Sequence, residues 1–186
     1  MSLSLASIQF KAALQATVKN QVDNTNISSI DLGIAQGPPT SLQTGTGANQ
    51  ANRFWQSTAR ILTAGTHEDI NLYSFAGIDI GAGAGNGPLG GAMALIEIVG
   101  ILVVNETVAQ GSIGTLTIGG VGAASGWTSV FGTNTDTIKG FSPGSCWEIF
   151  NPVQPAWVVG SANNNLLRIA AVTSNVLYDI YVLGRQ

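Results

Sequence analysis

The sequence predicts an all-β protein: a jelly-roll-like β-sandwich of about eight to ten short strands, with an N-terminal extended arm. Short segments in which apolar and polar residues alternate recur along the chain, and clusters of glycine, proline, asparagine and serine separate them. Residues 92–105 form a longer run rich in isoleucine and valine, which is typical of a central strand covered on both faces. No segment has a convincing helical period, and none repeats at a fixed interval.

The N-terminal region is predicted to be a separate arm. Residues 8–18 alternate as a half-buried strand does, although a helix with Phe10 and Leu14 on one face also fits the pattern. A second strand is predicted at residues 30–35. The Gly-Pro-Pro sequence at residues 37–39 then ends strand pairing, because two prolines remove two backbone donors. We therefore expect residues 1–30 to form an N-terminal arm or strand and residues 31–186 to form a single β-sandwich domain.

The later strands follow from the same alternation. The segments predicted as strands are residues 53–62, 70–73, 92–105, 114–120, 146–150 and 156–159. A polar turn is predicted at residues 66–69, a glycine-rich loop at residues 81–91, and a loop or edge at residues 126–131. Residues 165–171 and 176–183 both alternate across a short polar loop, which predicts a β-hairpin. In that hairpin Arg168 and Asp179 would pair across the two strands.

Composition limits the function classes. Charged residues make up 9% of the chain and hydrophobic residues 45%, and so neutral a surface is poorly protected against association. One interpretation is a surface that partner chains normally cover; the other is a small acidic domain with a neutral polar coat. The net charge is −3 and no run of basic residues occurs. A nucleic-acid-binding protein is expected to have a basic patch, so this class is not favoured. No segment resembles a signal peptide or a membrane span, so we expect synthesis in a cytoplasm and no membrane partner.

Catalytic and metal-binding patterns are weak. The chain has one histidine and one cysteine, so a zinc site is not expected; an oxygen-only calcium site at Glu68 and Asp69 is conceivable, and a solvated turn is the simpler interpretation. Residues 85–90 match the dinucleotide-binding string, but a strand rather than a helix is predicted to follow. Asp79 and Glu97 are the acids that could line a cleft. We predict no enzyme, no catalytic residues, no metal and no cofactor, and we interpret Cys146 as a buried small hydrophobe.

The aromatic residues provide most of the candidate interface. Of the four tryptophans, Trp147 is predicted to be in the core. Trp55, Trp127 and Trp157 lie near loops, where exposed rings could stack on sugars or fill a protein interface, or else pack at the edge of the core. The complete set of candidate interface residues is Ile8, Phe10, Leu14, Arg53, Phe54, Trp55, Trp127 and Trp157.

Three segments resemble one family of small proteins encoded in the structural modules of tailed bacteriophages. The first is Asp31-Leu32-Gly33 with the Gly-Pro-Pro sequence after it. The second is Gly-Thr-Gly-Ala-Asn-Gln-Ala-Asn-Arg-Phe-Trp at residues 45–55, followed by Glu-Asp-Ile-Asn-Leu at residues 68–72. The third comprises Leu-Arg-Ile-Ala at residues 167–170 and Tyr-Asp-Ile-Tyr-Val-Leu-Gly at residues 178–184. The Gly-Thr-Gly-Ala-Asn-Gln-Ala segment is the most specific of them.

The resemblance implies a virion structural protein, similar to the capsid decoration (cement) proteins. Such a protein binds the outer surface of the phage head, often as a trimer, and stabilises the capsid lattice. The expected partners are the major capsid protein and further copies of this chain in a homotrimer. The expected location is the capsid exterior of the virion, after synthesis in the host cytoplasm. The alternative function is a carbohydrate- or receptor-binding module of a tail or fibre, with Trp127 and Trp157 as stacking platforms.

Overall fold

Two antiparallel sheets pack face to face and confirm the predicted all-β sandwich. The computed structural model describes residues 8–9, 14–19, 26–32, 41–79 and 91–186. The jelly-roll connectivity remains a prediction.

The strands are short, as the alternating segments predict. In chain order they are β1 Ile8–Gln9, β2 Leu14–Lys19, β3 Asn26–Leu32, β4 Ser41–Thr44, β5 Gln50–Ala51, β6 Arg53–Leu62, β7 His67–Asn71, β8 Ser74–Asp79, β9 Gly91–Ala94, β10 Glu97–Asn105, β11 Leu116–Gly119, β12 Thr137–Phe141, β13 Cys146–Phe150, β14 Trp157–Val158, β15 Leu166–Ala171 and β16 Val176–Arg185. A 3-10 helix spans Val108–Gln110, and a one-turn helix, α1, spans Thr128–Phe131, within a segment predicted as loop or edge.

The larger sheet has the strand order β13-β10-β16-β6-β8-β9, and β14 also pairs with β10. β10 lies between β13 and β16, so the predicted central strand is confirmed as an interior strand. The predicted run of residues 92–105 is nevertheless two strands. Between them the hydrogen-bond partner changes, because Leu95 N–H donates to the Tyr73 carbonyl and Ile96 N–H donates to the Arg185 carbonyl.

The predicted C-terminal hairpin is wrong. The smaller sheet has the order β12-β11-β15-β7, so β15 pairs with β11 and β7, whereas β16 pairs with β10 and β6. The polar loop between β15 and β16 therefore crosses from one sheet to the other. Alternation shows only that each of the two strands buries one face. Here the buried faces of β15 and β16 meet across the core from different sheets.

The core between the sheets is formed by the inward residues of both. β15 contributes Leu167, Ile169 and Ala171, and β16 contributes alternate residues from Val176 to Val182. A second, smaller cluster comprises Leu42, Ala51, Val99, Ala156 and Leu183, with Phe54 and Phe150 packed against it. Its members on β10 and β16 alternate with main-core residues, so this cluster covers part of the outer face of the larger sheet.

The N-terminal predictions fall partly outside the described residues. The strand prediction for residues 8–18 agrees with β1 and β2 where the chain is described, and β2 pairs with β3. β3 runs across residue 30, so the boundary between the predicted arm and domain lies inside a strand. The glycine-rich loop lies outside the described residues except for Gly91, which begins β9. The polar turn predicted at residues 66–69 is wrong, because His67 begins β7.

Candidate interaction surface

Three of the predicted interface residues are consecutive and form the start of one strand, at one end of the sandwich. Arg53, Phe54 and Trp55 begin β6, where they pair with Gly184, Leu183 and Val182 of β16. Ile8 lies in β1 and Leu14 in β2, and Phe10 lies outside the described residues.

Trp127 is an interior residue, and the expectation of an exposed stacking ring there is wrong. Its side chain is 0% exposed, and its indole N–H donates to the Val158 carbonyl at 3.1 Å. The ring packs edge to face on Phe131, with 6.3 Å between ring centroids, and Phe131 stacks on Trp147 at 5.8 Å. The one-turn helix α1 folds Phe131 back onto this cluster, which closes one side of the core. Trp147 is buried, as predicted.

The other predicted aromatic residues lie at the edges of the two clusters. Trp55 and Trp157 are partly buried against the main core, and Phe54 is partly buried against the smaller cluster. These three rings follow the core-edge interpretation, and each keeps some surface towards solvent.

Arg185 organises the end of the sandwich where β6 begins. Its guanidinium group, 1% exposed, contacts the Glu97 carboxylate at 2.6 Å. The remaining hydrogen bonds go to the carbonyls of Gln50, Pro152 and Val153. One arginine at the end of β16 thus holds two loops against the sheet, and its buried charge is matched by a carboxylate and three carbonyl oxygens. We call this the arginine end.

Arg53 adds to the arginine end from the neighbouring strand. Its side chain is 7% exposed and donates to the Asn52 carbonyl and to the Gln186 side chain. The Asn52 side chain in turn accepts from the Gln186 backbone N–H at 3.1 Å. The Arg53 guanidinium group is therefore held by hydrogen bonds within the chain.

A second polar cluster joins the two sheets. Arg60 on β6 donates to both oxygens of the Glu68 carboxylate on β7. It also donates to the Tyr178 hydroxyl at 3.1 Å, and that hydroxyl donates to Glu68. Tyr178 is itself 0% exposed. A carboxylate predicted to lie in a solvated turn is instead a link between the layers.

The neighbouring charges show why the predicted Arg168–Asp179 pair is wrong. Arg168 forms a bidentate pair with Asp69 at 2.7 and 2.8 Å, because β15 pairs with β7. Asp179 instead accepts from the Ala59 backbone N–H at 2.8 Å and from the Tyr181 hydroxyl at 3.1 Å. The pairing of β6 with β16 shifts register at Asp179, and Ala59 has a left-handed φ of 56°; this is a β-bulge whose free N–H is bound by the Asp179 carboxylate.

The pKa values in these clusters predict a loss of stability in acid. Burial raises the pKa of Glu68, but the hydrogen bonds from Arg60 and Tyr178 outweigh it, so the pKa lies below its usual 4.5. The hydrogen bond from Arg168 lowers the pKa of Asp69 below its usual 3.8. In the unfolded chain these two carboxylates take up protons at their usual pKa values, whereas in the folded chain they do so only at lower pH. The free energy of unfolding should therefore fall as the pH drops from about 5 towards 3.

The same cluster predicts a loss of stability in strong alkali. Burial, and then the hydrogen bond and charge of Glu68, raise the pKa of Tyr178 well above its usual 10.0. The unfolded chain loses this proton first, so the free energy of unfolding should fall as the pH rises above about 10. Urea unfolding from pH 3 to pH 11 would measure both effects. Glu68→Gln should flatten the acid side and Tyr178→Phe the alkaline side; profiles parallel to that of the parent chain would contradict the assignment.

Cys146 is exposed, so its interpretation as a buried hydrophobe is wrong. It lies on β13 beside Trp147, and neighbouring residues of a strand point to opposite faces. Because Trp147 faces the core, Cys146 faces outwards.

The acids considered for chemistry are occupied elsewhere or lie outside the described side chains. Glu97 pairs with Arg185 and accepts from the Ala156 N–H at 3.2 Å, and the side chain of Asp79 is not described. Over the described ranges, no three histidine, cysteine, aspartate or glutamate side chains are grouped as a metal site requires. In the same part of the chain, none of the helices is long and apolar enough to cross a membrane.

The other end of the sandwich presents exposed aliphatic side chains that the sequence analysis missed. Ile61, Val108, Ile113 and Val172 are 71%, 65%, 61% and 52% exposed. They belong to the end of β6 and to the β10–β11 and β15–β16 connections, so no periodic pattern connects them. The sequence gives only a weak indication of this exposed surface, because each of the four is an isolated β-branched residue beside turn-forming or polar neighbours.

Comparison of the chain with protein-family models, with curated proteins and with solved structures finds no match.

Proposed function

We propose that this chain is a non-enzymatic viral structural protein that binds the outer surface of a tailed-phage head and stabilises its lattice. It acts as a homotrimer on the major capsid protein. The proposal takes the particle class from the resemblance of residues 31–33, 45–55, 68–72, 167–170 and 178–184 to phage structural proteins. The structure supports it through the distribution of charge and apolar surface.

The observation that carries the proposal is that three arginines of the described part have their charges matched by carboxylates of the same chain. Arg60, Arg168 and Arg185 pair with Glu68, Asp69 and Glu97 of the same chain. Charged residues are only 9% of the sequence, so these pairs leave a surface dominated by hydroxyl, amide and aliphatic groups. Removing water from such a surface costs little free energy, because few charged side chains lose their hydration when a partner covers it.

Such a surface suits a protein that works by covering joints between subunits. A chain that binds the assembled lattice and not its separated subunits stabilises the assembly by mass action, in proportion to how well its sites are filled. Many modest contacts repeated over a symmetric shell are sufficient, and no reacting group is required. A β-sandwich supplies a rigid body on which those contacts keep their positions.

The first test is the copy number of this chain relative to the major capsid protein in purified particles. A ratio near one, or a sizeable fraction of one, is the expected result. A few copies per particle would contradict head decoration and favour a tail or fibre component, and absence from particles would overturn the proposal. The mass of the chain released from particles tests the trimer, which a monomeric mass would contradict.

A further inference from the structure

The four exposed aliphatic residues lie close together at the end of the sandwich opposite Arg185. We call Ile61, Val108, Ile113 and Val172 the apolar end. Ile61 pairs with Leu177 across β6 and β16. The Leu177 carbonyl accepts from Glu106 N–H, two residues before Val108, and the Asn175 carbonyl accepts from Ile113 N–H at 3.1 Å. Val172 N–H donates to Thr115, two residues after Ile113.

The loop that carries Val108 and Ile113 is held in place by a buried asparagine. Asn105, 1% exposed, donates to the carbonyls of Gly114 and Phe141 at 2.9 and 2.8 Å and accepts from the Ser112 hydroxyl at 2.5 Å. A Thr107–Gln110 capping box fixes the 3-10 helix that follows. The exposed valine and isoleucine are therefore presented by a fixed loop, and a surface ordered in advance loses little entropy on binding.

Among the described residues, none covers this end enough to bury its four aliphatic side chains, which are 52–71% exposed. Residues 60–66, 104–116 and 170–178, which build the apolar end, are continuous. Isolated exposed aliphatic residues are ordinary, but four together on a fixed surface indicate a contact site.

Two carboxylates beside the apolar end define its charge. Glu106 follows β10 and Asp179 lies on β16, opposite Val104. Glu106 lies opposite Leu177, two residues from Asp179 along β16, so the two carboxylates are on the same face of the sheet. Burial, and then the charge of Asp179 and a hydrogen bond to it, raise the pKa of Glu106. Among the described residues neither forms an ion pair with an arginine or a lysine. A lysine or arginine of a partner would relieve their repulsion, whereas an anionic membrane surface would increase it.

We propose that the apolar end is the surface that docks on the capsid, against an apolar depression of the major capsid protein flanked by a lysine or arginine. The aliphatic cluster indicates an apolar surface on the partner. The carboxylates of Glu106 and Asp179 favour a positively charged side chain beside that surface. This inference rests on the proposed function for the identity of the partner. The choice of this end over the arginine end, where Ile96, Val153 and Val158 are also exposed, rests on its four exposed aliphatic side chains and on the two carboxylates beside them.

The test compares matched double variants in binding to heads of the source phage that have been stripped of this chain. Ile61→Ser/Ile113→Ser removes two exposed side chains of the apolar end. Val153→Ser/Val158→Ser is the control, since these residues are 61% and 51% exposed at the arginine end. Surface substitutions of this kind change stability little, and thermal unfolding would verify that. The apolar-end variant should bind at least about tenfold more weakly than the control.

A charge variant tests the second half of the proposal. Glu106→Lys should weaken head binding by about tenfold or more, and added salt should weaken the parent chain more than this variant. Failure of the parent chain to bind the heads would overturn the proposed function and the docking surface together. Binding of the parent chain with equal binding by the apolar-end variant would overturn the docking surface alone. A variant that binds heads normally but no longer self-associates would assign the apolar end to contacts between copies instead.

Discussion

Replacing Trp127 with alanine is expected to lower the free energy of unfolding by about 3–5 kcal/mol. The indole is 0% exposed, and its removal leaves a cavity beside Phe131 and strands β14 and β15. It also leaves the Val158 carbonyl without the indole donor. That loss is a large part of the roughly 5–15 kcal/mol by which domains are stable. Urea unfolding followed by tryptophan fluorescence and by circular dichroism would measure it.

Trp157→Ala is the matched control, because this ring is only partly buried against the same core. We expect a clearly smaller loss of stability from it than from Trp127→Ala. Trp127→Phe should recover part of the loss, since a smaller aromatic ring refills some of the space but provides no N–H for the Val158 carbonyl. Equal effects of the two alanine variants would contradict the assignment of Trp127 to the interior.

The second large effect is expected at the arginine end. Arg185→Ala should lower the free energy of unfolding by about 3–5 kcal/mol, because it leaves the half-buried carboxylate of Glu97 without its cation. The side chains of the pair are 1% and 13% exposed, respectively. Three backbone carbonyls also lose their donor, so the loops around Gln50 and Val153 should become accessible to proteases before the rest of the sandwich. Denaturant unfolding and limited proteolysis measure these two consequences.

Arg168→Ala provides the comparison, because its pair with Asp69 is about 30% exposed on both side chains. Exposed pairs contribute about 0–1 kcal/mol, so this variant should change stability little. Arg185→Met with Glu97→Leu should be far less harmful than Arg185→Ala, since it removes both buried charges and keeps apolar volume. If Arg185→Ala and Arg168→Ala had similar effects, Arg185 would not organise the arginine end as described.

The two ends of the sandwich differ in a way that bears on function. At the arginine end, buried hydrogen bonds hold the chain to itself, and variants there should affect folding. At the apolar end, Ile61, Val108, Ile113 and Val172 are more than half exposed, and the proposed docking surface predicts that variants there affect association. Measuring stability and head binding on the same set of variants therefore separates the two roles.

Alternation along the strands was the most informative feature of the sequence. It placed β6, β13 and the interior strand β10, because a half-buried strand must present apolar residues with a period of two. It could not identify strand partners. The segments β15 and β16 have the pattern of a hairpin, yet each pairs with strands distant in sequence, and the hydrogen bonds that decide this leave no trace in alternation.

Residues next to loops were the least predictable. Trp127 precedes a one-turn helix too short to show a period, and its burial depends on Phe131 and β14 closing over it. His67 and Glu68 have the composition of a turn, but pairing with β15 makes them part of a strand. Cys146 was placed on the wrong side because its strand was recognised without deciding which of two neighbours, Cys146 or Trp147, faces inwards.

The sequence by itself determined the all-β class, the low charge and most strand positions, because these depend on composition and on the local geometry of the backbone. Only the tertiary structure decided which carboxylate each arginine pairs with, that Trp127 is buried, and where exposed aliphatic residues meet. Those features depend on contacts between residues far apart in the chain. Arg185 and Glu97 are neighbours because β16 and β10 pair, and Ile61 and Ile113 share one end because the loops between sheets converge there.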